Sequence, residues 1–323
     1  MKTKITVLLL VLCLFSSCTT LQTISFERLQ AADISFPEQV RTVGVINYVP
    51  QDNMGADSLL GLWNGDGTVA VEALAQEIAA TNYFEQVLIC DSAFRGDTNI
   101  GEESIPSYQT DSLIRLLGVD MLFAIERVQV ELKNGSIFFP EMMANLLVVD
   151  GIVTPVVRAY IAGRDIPLFS FSKSDTIYWE LSPELTYEQM IKEASEYAAQ
   201  LPVKYLLPHW KEVSRYYFDG GNAEMRDAGV YVREQDWEAA SVLWQKLHDT
   251  RKGKTKMRAA YNLALYYELL EDFERAKEYL DIASSLAQEG TWENQLIEYY
   301  RLQLEEQGQE NRMLKIQMKR FEP

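Results

Sequence analysis

Residues 228–244, AGVYVREQDWEAASVLW, and residues 264–280, ALYYELLEDFERAKEYL, write one pattern twice at a period of 36 residues. Ala228, Tyr231, Trp237, Ala240 and Trp244 fall on Ala264, Tyr267, Phe273, Ala276 and Leu280. A fixed period of this size is the signature of a helical hairpin that stacks on its neighbour to complete a core. About three repeats are usually needed for stability, so two call for caps. Trp292 to Glu306, with Leu296, Ile297, Tyr300 and Leu304 on one side, reads as a solvating helix at the C-terminal end. Trp210 to Phe218 reads as a short helical cap at the other, and the tail beyond Gln307 as a further helix or a frayed end.

Upstream the pattern is different. Arg41 to Val49 has strand character, closed by Pro50. Asp66-Gly67-Thr68 supplies caps for a helix through Thr81, with Val71, Leu74, Ala75 and Ile78 at helical spacing. A second strand runs from Gln86 to Asp91, a second helix from about Pro106 to Leu117 with Gly118 as its stop, and a third strand from Met121 to Leu132. That alternation predicts a parallel or mixed sheet with helices packed on it. Leu146 to Ile161 and Ile166 to Trp179 read as a hairpin across Ala162-Gly163-Arg164-Asp165, with Pro155 marking an edge strand or a bulge. A helix from about Thr186 to Gln200 follows, and Pro202 and Pro208 break the chain. The predicted fold is an α+β N-terminal domain, a mixed sheet with packed helices, followed by an all-α helical repeat domain.

The first eighteen residues set the address. Lys2 and Lys4 precede an apolar run from Ile5 to Phe15, which is shorter than the roughly 20 residues a permanent span requires and reads as a secretory signal. Ser16-Ser17-Cys18 makes the segment resemble the lipobox of bacterial lipoproteins, with Phe15 where that family usually has Leu. The resemblance implies that Cys18 becomes the mature N-terminus and carries acyl chains, palmitate among them, each buried methylene contributing about 0.8 kcal/mol to membrane association. Thr19, rather than Asp, after the cysteine points by the same resemblance to the outer membrane, facing the periplasm. The expected organisation is signal peptide 1–17, tether 18–36, α+β domain 37–208 and helical domain 209–323, with Ile24, Phe26 and Leu29 indicating that part of the tether pairs with the fold.

A net charge of −17, or −19 once Lys2 and Lys4 leave with the signal, repels nucleic acid phosphates, so nucleic acid is not an expected partner. With Cys13 removed and Cys18 acylated, Cys90 is the remaining cysteine; it follows Val87-Leu88-Ile89 in what reads as a buried strand and is expected to be an inert core thiol.

Three wider resemblances carry expectations. Thr42-Val43-Gly44-Val45-Ile46, the helix Val71 to Ala80, the step Tyr83-Phe84-Glu85-Gln86-Val87 and the turn Leu117-Gly118-Val119-Asp120 make residues 40–135 similar to the small periplasmic module of curli-secretion and penicillin-binding-protein-activator lipoproteins and of the translocation protein that precedes a propeller. That implies an assembly module and transfers no catalytic residue. The 36-residue pattern resembles the tetratricopeptide repeat, in which small residues let two helices approach and aromatic residues fill the groove. Leu247 departs from the small residue that Ala283 supplies, the terminal Pro is absent, and two inserted residues near Arg251-Lys252-Gly253-Lys254 lengthen the period. The whole order, with Trp210, Arg215-Tyr216-Tyr217, Trp237 and Trp244, looks like an uncharacterised lipoprotein family of Bacteroidetes-type bacteria (domain of unknown function 6340).

The chain offers little chemistry of its own. His209 and His248 lack metal-ligand spacing, and no nucleophile elbow, phosphate loop or dinucleotide fingerprint is present. Trp63-Asn64-Gly65-Asp66-Gly67 has the polar flavour of a calcium loop but lacks its alternating ligands and final Glu, so a helix-entry turn is the expected reading. No catalytic residue, metal or cofactor is expected, and the chain is not read as an enzyme. By the repeat register, the inner face of each hairpin's first helix places Met225, Arg233, Arg258, Tyr261, Leu265 and Glu268 as partner-binding candidates. Arg258 and Asn262 lack the other members of a basic carboxylate clamp, and the alternative for this face is that it packs on the α+β domain. The expected function is a lipid-anchored cell-envelope protein acting as a non-enzymatic interaction or assembly module, with an unidentified envelope protein as partner. The alternative is a glycan- or peptidoglycan-binding lipoprotein, motivated by Tyr205, Trp210, Tyr216 and Tyr217.

Overall fold

The structure, a computed structural model, describes residues 21–50, 60–92, 94, 104–141 and 143–321. The signal segment, Cys18 and the loop after Pro50 lie outside the described residues. In chain order the elements are β1 (Leu21–Gln30), β2 (Thr42–Asn47), β3 (Gly61–Asn64), α1 (Gly67–Ala80), β4 (Gln86–Cys90), α2 (Ser107–Leu117), β5 (Met121–Phe139), β6 (Ala144–Ile161), β7 (Phe169–Phe171), β8 (Asp175–Glu180), α3 (Tyr187–Gln200), α4 (Val203–Leu206), β9 (His209–Phe218), α5 (Ala223–Arg233), α6 (Trp237–Thr250), α7 (Gly253–Leu269), α8 (Phe273–Leu286) and α9 (Trp292–Met318), closed by a short 3₁₀ turn at Lys319–Phe321. The chain divides into two compact units, each discontinuous in sequence. Residues 31–209 with 314–321 form an α+β unit, and residues 21–30 with 210–313 form a helical one.

The α+β unit is built on a seven-stranded mixed sheet in the order β4-β2-β5-β6-β7, with β3 added to β5 and β8 to β6. β2 runs parallel to both β4 and β5, while β5 and β6 are antiparallel. Alternation along β2 sends Val43 and Val45 to one side and Ile46 to the other. On the first side they pack with Leu74 and Ile78 of α1, Ala194 and Ala198 of α3, and an aromatic cluster of Phe36, Phe84 and Phe123. On the second, Ile46, Leu122 and Ala124 meet Ile114 of α2. The Asp66 carboxylate accepts hydrogen bonds from the Thr68 and Val69 amides, so the polar loop is a helix-entry turn.

Several expectations are corrected here. β5 continues seven residues past Leu132 and forms one long hairpin with β6, from Met121↔Ile161 to Phe139↔Ala144. Ile166 to Trp179 is not one strand answering β6 across Ala162–Asp165: β7 pairs with Val157–Ala159, and β8 returns to Val148–Val153. Pro155 lies in the gap between those two pairings, beside the bulge at Ile125/Arg127, so β6 can be central despite a residue with no N–H. β4 is an edge strand with Ile89 half exposed, and Cys90 is half-buried rather than fully enclosed. The C-terminus returns to this unit through Gln317, whose side chain accepts from the Ala32 amide and donates to the Ala32 and Ile34 carbonyls. Arg320 donates to the Val40 carbonyl and lies 4.3 Å over the Tyr83 ring.

In the helical unit, the 36-residue spacing reappears in the backbone. Gln235 and Glu271 both take positive φ, and the following Asp236 and Asp272 cap α6 and α8 through the Ala239 and Arg275 amides. Ala228, Ala264, Ala240 and Ala276 are fully buried where the helices meet, and Trp244, Leu247, Leu280 and Ala283 fill the core around them. Residues 210–218 are strand β9 rather than a helix. Val213, Arg215 and Tyr217 alternate inward and Trp210, Glu212, Ser214 and Tyr216 outward, a period of two. β9 pairs with β1, so residues 21–30 of the expected tether are built into the helical unit. The C-terminal helix also runs to Met318 rather than ending near Glu306.

Phe123 is fully buried between Phe36 and Phe84. Phe123→Ala is expected to destabilise the α+β unit by about 3–5 kcal/mol, read as a lowered urea midpoint at unchanged m-value.

Candidate functional site

The six partner-binding candidates converge inside the helical unit rather than on its surface. Met225, Arg258, Tyr261, Leu265 and Glu268 are buried, and Arg233 alone of the six is exposed, 3.8 Å from Asp219. The expectation of a free inner face is therefore corrected. The groove is filled by β1, β9 and α9.

The filling is specific. Asn262 accepts from the Phe218 amide at 2.8 Å and donates to the Phe218 carbonyl at 2.7 Å, acting toward the end of β9 as a neighbouring strand would. Arg258 lies 5.0 Å over the Phe218 ring and donates to the Gly220 carbonyl. Tyr261 packs against Phe218 and Tyr300, and burial pushes its hydroxyl far above the ordinary tyrosine range. At the centre is Glu268, with no exposed side-chain surface. Oε1 accepts from Arg28 at 3.0 Å and from Arg215 at 2.8 Å; Oε2 accepts from Arg215 Nε at 3.0 Å and from the Tyr300 hydroxyl at 2.6 Å. Arg28 also donates to the Glu268 carbonyl and to Gln307. Burial, then the Glu268 charge, raises the Tyr300 hydroxyl well above its ordinary value, which keeps it a donor. One carboxylate thus joins β1, β9, α7 and α9.

Other groups that carried expectations have structural partners. His248 sits against Tyr279 with Nδ1 2.9 Å from Asp249, and His209 Nδ1 lies 3.3 Å from the Leu207 carbonyl. Among the described residues, no group of three or more His, Cys, Asp or Glu is placed to hold a metal ion. Of the four aromatics behind the glycan reading, Tyr217 is buried, Tyr205 packs on Phe171 beneath Lys173, and Trp210 and Tyr216 stand exposed on the outward side of β9.

Two features of the α+β unit were not anticipated. An open cleft of about 330 Å³ lies at the C-terminal end of β2, lined by Asn47, Asn64, Asp66, Thr68, Tyr187 and Lys192 among others. Its floor is fixed, since the Gly65 amide donates to Val128 and the Asp66 amide to Ser195. It lies beyond the end of β2, where the β2-to-β4 connection through α1 and the β4-to-β5 connection through α2 take opposite faces of the sheet, a usual place for ligands in α/β sheets. On the other face, Glu126 is buried at the bulge of β5, accepting from Arg158 and from the Tyr160 hydroxyl, which itself accepts from the Ile105 amide at 3.0 Å. Glu126 follows Leu122 and Ala124 at strand period on that face, and the bulge acts after it, moving Val128, Val130 and Leu132 to the first face.

A family model described as Domain of unknown function (DUF8603) matches residues 40–218, and one described as Domain of unknown function (DUF6340) matches residues 226–306. No curated protein matches the chain. Two solved structures of PelC dodecamers from Paraburkholderia phytofirmans are similar over 55% of this chain and 96% of theirs, at 9% identity and TM-scores of 0.28 and 0.27.

Glu268→Gln leaves buried Arg215 and part-buried Arg28 short of a counter-charge and is expected to cost about 3–5 kcal/mol of stability. In hydrogen exchange, the amides of residues 21–30 should lose protection first, since Arg28 ties their strand to Glu268. Unchanged protection there would show that β1 is held by its apolar contacts alone.

Proposed function

The chain belongs to the family described as Domain of unknown function (DUF8603), and we propose that it is a lipid-anchored protein of the cell envelope, facing the periplasm from the outer membrane, that acts as a non-enzymatic interaction or assembly module. The observation that carries this reading is the position of β1. Its first residue, Leu21, follows Cys18 by three residues, and its Arg28 is locked to Glu268. An acylated Cys18 would hold the helical unit within about 10 Å of the lipid, the reach of three extended residues. A short connection of this kind positions a body at a surface, whereas a long tether would only confine it. The helical unit reads as a tetratricopeptide-like pair of hairpins whose groove is closed by its own chain, leaving other surfaces to meet an envelope protein.

The glycan- or peptidoglycan-binding alternative draws on Trp210 and Tyr216. They are exposed on the same side of β9, six residues apart, an arrangement that suits an extended saccharide better than a single ring.

Cys18→Ser is expected to move the protein from the membrane fraction to the soluble fraction of cells. Continued membrane partition of that variant, with no acyl mass on the wild-type N-terminal peptide, would remove the anchor from this account.

A further inference from the structure

The helical unit has a basic end. Residues 246–258 carry Lys246, Arg251, Lys252, Lys254, Lys256 and Arg258 against Asp249 alone, in a chain of net charge −17. Carboxylates from elsewhere in the unit answer part of this charge. Glu224 lies 3.7 Å from Lys246 and 3.5 Å from Arg251, Glu293 pairs with Lys254 and Arg258, and Glu289 is exposed in the turn before α9. The cations still lead by two, and Lys252 and Lys256 form no ion pair among the described residues. Their placement runs against helix electrostatics. Lys252 is the N-cap of α7 with no side-chain cap, and Lys254 and Lys256 fall within the next four residues, where the helix dipole disfavours a cation. Trp292, the first residue of α9, stands 47% exposed beside them, its ring centroid 6.0 Å from Lys254 Nζ. β1 begins at this same end. Arg28 reaches Gln307 and Gln30 reaches Glu310, so β1 and α9 run the same way. From Arg28 back to Leu21 is about 23 Å of strand, and from Gln307 back to Trp292 about 22 Å of helix, which brings Leu21 level with Trp292.

We propose that this end of the helical unit rests on anionic phospholipid, with Arg251, Lys252, Lys254 and Lys256 meeting headgroup phosphates and Trp292 entering the headgroup layer. The proposal rests on the lipid-anchor reading and supplies the face that the anchored unit turns to the membrane. An acylated Cys18, three residues before Leu21, brings lipid to this end. Tryptophan and lysine both suit the interfacial layer, since each has an apolar body and a polar tip. Phosphate oxygens also meet the α7 amides that Lys252 leaves uncapped, which offsets the unfavourable placement of the lysines. The acidic remainder of the chain does not cancel the attraction, because charges are screened beyond about 8 Å at physiological ionic strength. Of the anionic partners that match this charge, a bilayer is the one that the anchor keeps within reach.

The test uses the chain as cells make it, reconstituted into vesicles of phosphatidylcholine with or without phosphatidylglycerol. Hydrogen exchange at residues 252–257 should be slower by about tenfold or more on the anionic vesicles, since each lysine at such a surface contributes about fivefold. Lys252→Gln combined with Lys256→Gln alters two unpaired side chains and should abolish that difference at an unchanged melting temperature. Quenching of tryptophan fluorescence by brominated phospholipid should disappear in Trp292→Phe and persist in Trp210→Phe. Equal exchange on both kinds of vesicle, protection unaltered in the double lysine variant, or quenching that depends on Trp210 in place of Trp292 would each overturn the proposal. Soluble polyglutamate that protects the same amides as strongly as phosphatidylglycerol would assign the end to an acidic protein segment and overturn it too. Flotation separates the two readings. A chain that floats with both kinds of vesicle at equal exchange loses the docking and keeps the anchor; one that floats with the anionic vesicles alone keeps the docking and loses the anchor; one that floats with neither loses both.

Discussion

One buried carboxylate organises the helical unit. Glu268 lies on α7, in the second copy of the repeated pattern, where its counterpart in the first copy is the apolar Val232. A charge at that position would be prohibitive alone, because a buried ion without partners costs several kcal/mol. Arg215 answers it with a two-pronged contact, Arg28 with a second cation and Tyr300 with a hydroxyl. Each comes from a different element, so the cost of burying Glu268 is met only when β1, β9 and α9 are all in place. The repeat itself supplies generic packing through Ala228, Ala264 and Trp244; the charge cluster decides what lies in its groove.

A helical hairpin array with an open groove invites ligands, but this one is closed by its own chain. Among the described residues, this unit leaves Trp210 and Tyr216 exposed on the outward side of β9, and the α+β unit has its own open cleft at the end of β2. The first is an aromatic strip and the second a polar cavity with both signs of charge.

Much of the architecture was legible because its signals are local. Period and capping residues mark α1, α3 and the four hairpin helices, and Asp236 and Asp272 cap where the repeat places them. The misreadings share a cause, which is that pairing across long sequence separations overrides local pattern. The helices that follow β9 favour a helical reading of it, although Val213, Arg215 and Tyr217 alternate; its partner β1 lies almost two hundred residues upstream, as the contact of Ser25 with Ser214 marks. β5 was cut at Leu132 because the polar step Lys133-Asn134-Gly135 resembles a turn, whereas Gly135 is there to let the Asp150 side chain lie across it. Five of the six partner-binding candidates lie buried, and what covers them comes from segments that sequence distance conceals.

The Gln317 side chain, tied to the backbone at Ala32 and Ile34, has a temporal meaning. A chain that emerges N-terminus first presents residues 31–209 long before residue 317 exists, so the sheet can assemble while one of its seams stays open. β1 waits likewise for Glu268 and Gln307. Each unit is therefore closed by residues made long after its first strand, the helical one by Glu268 and Gln307 and the α+β one by Gln317. Until Glu268 is made, Arg28 on β1 has no carboxylate to hold it, so early synthesis leaves that strand loosely bound.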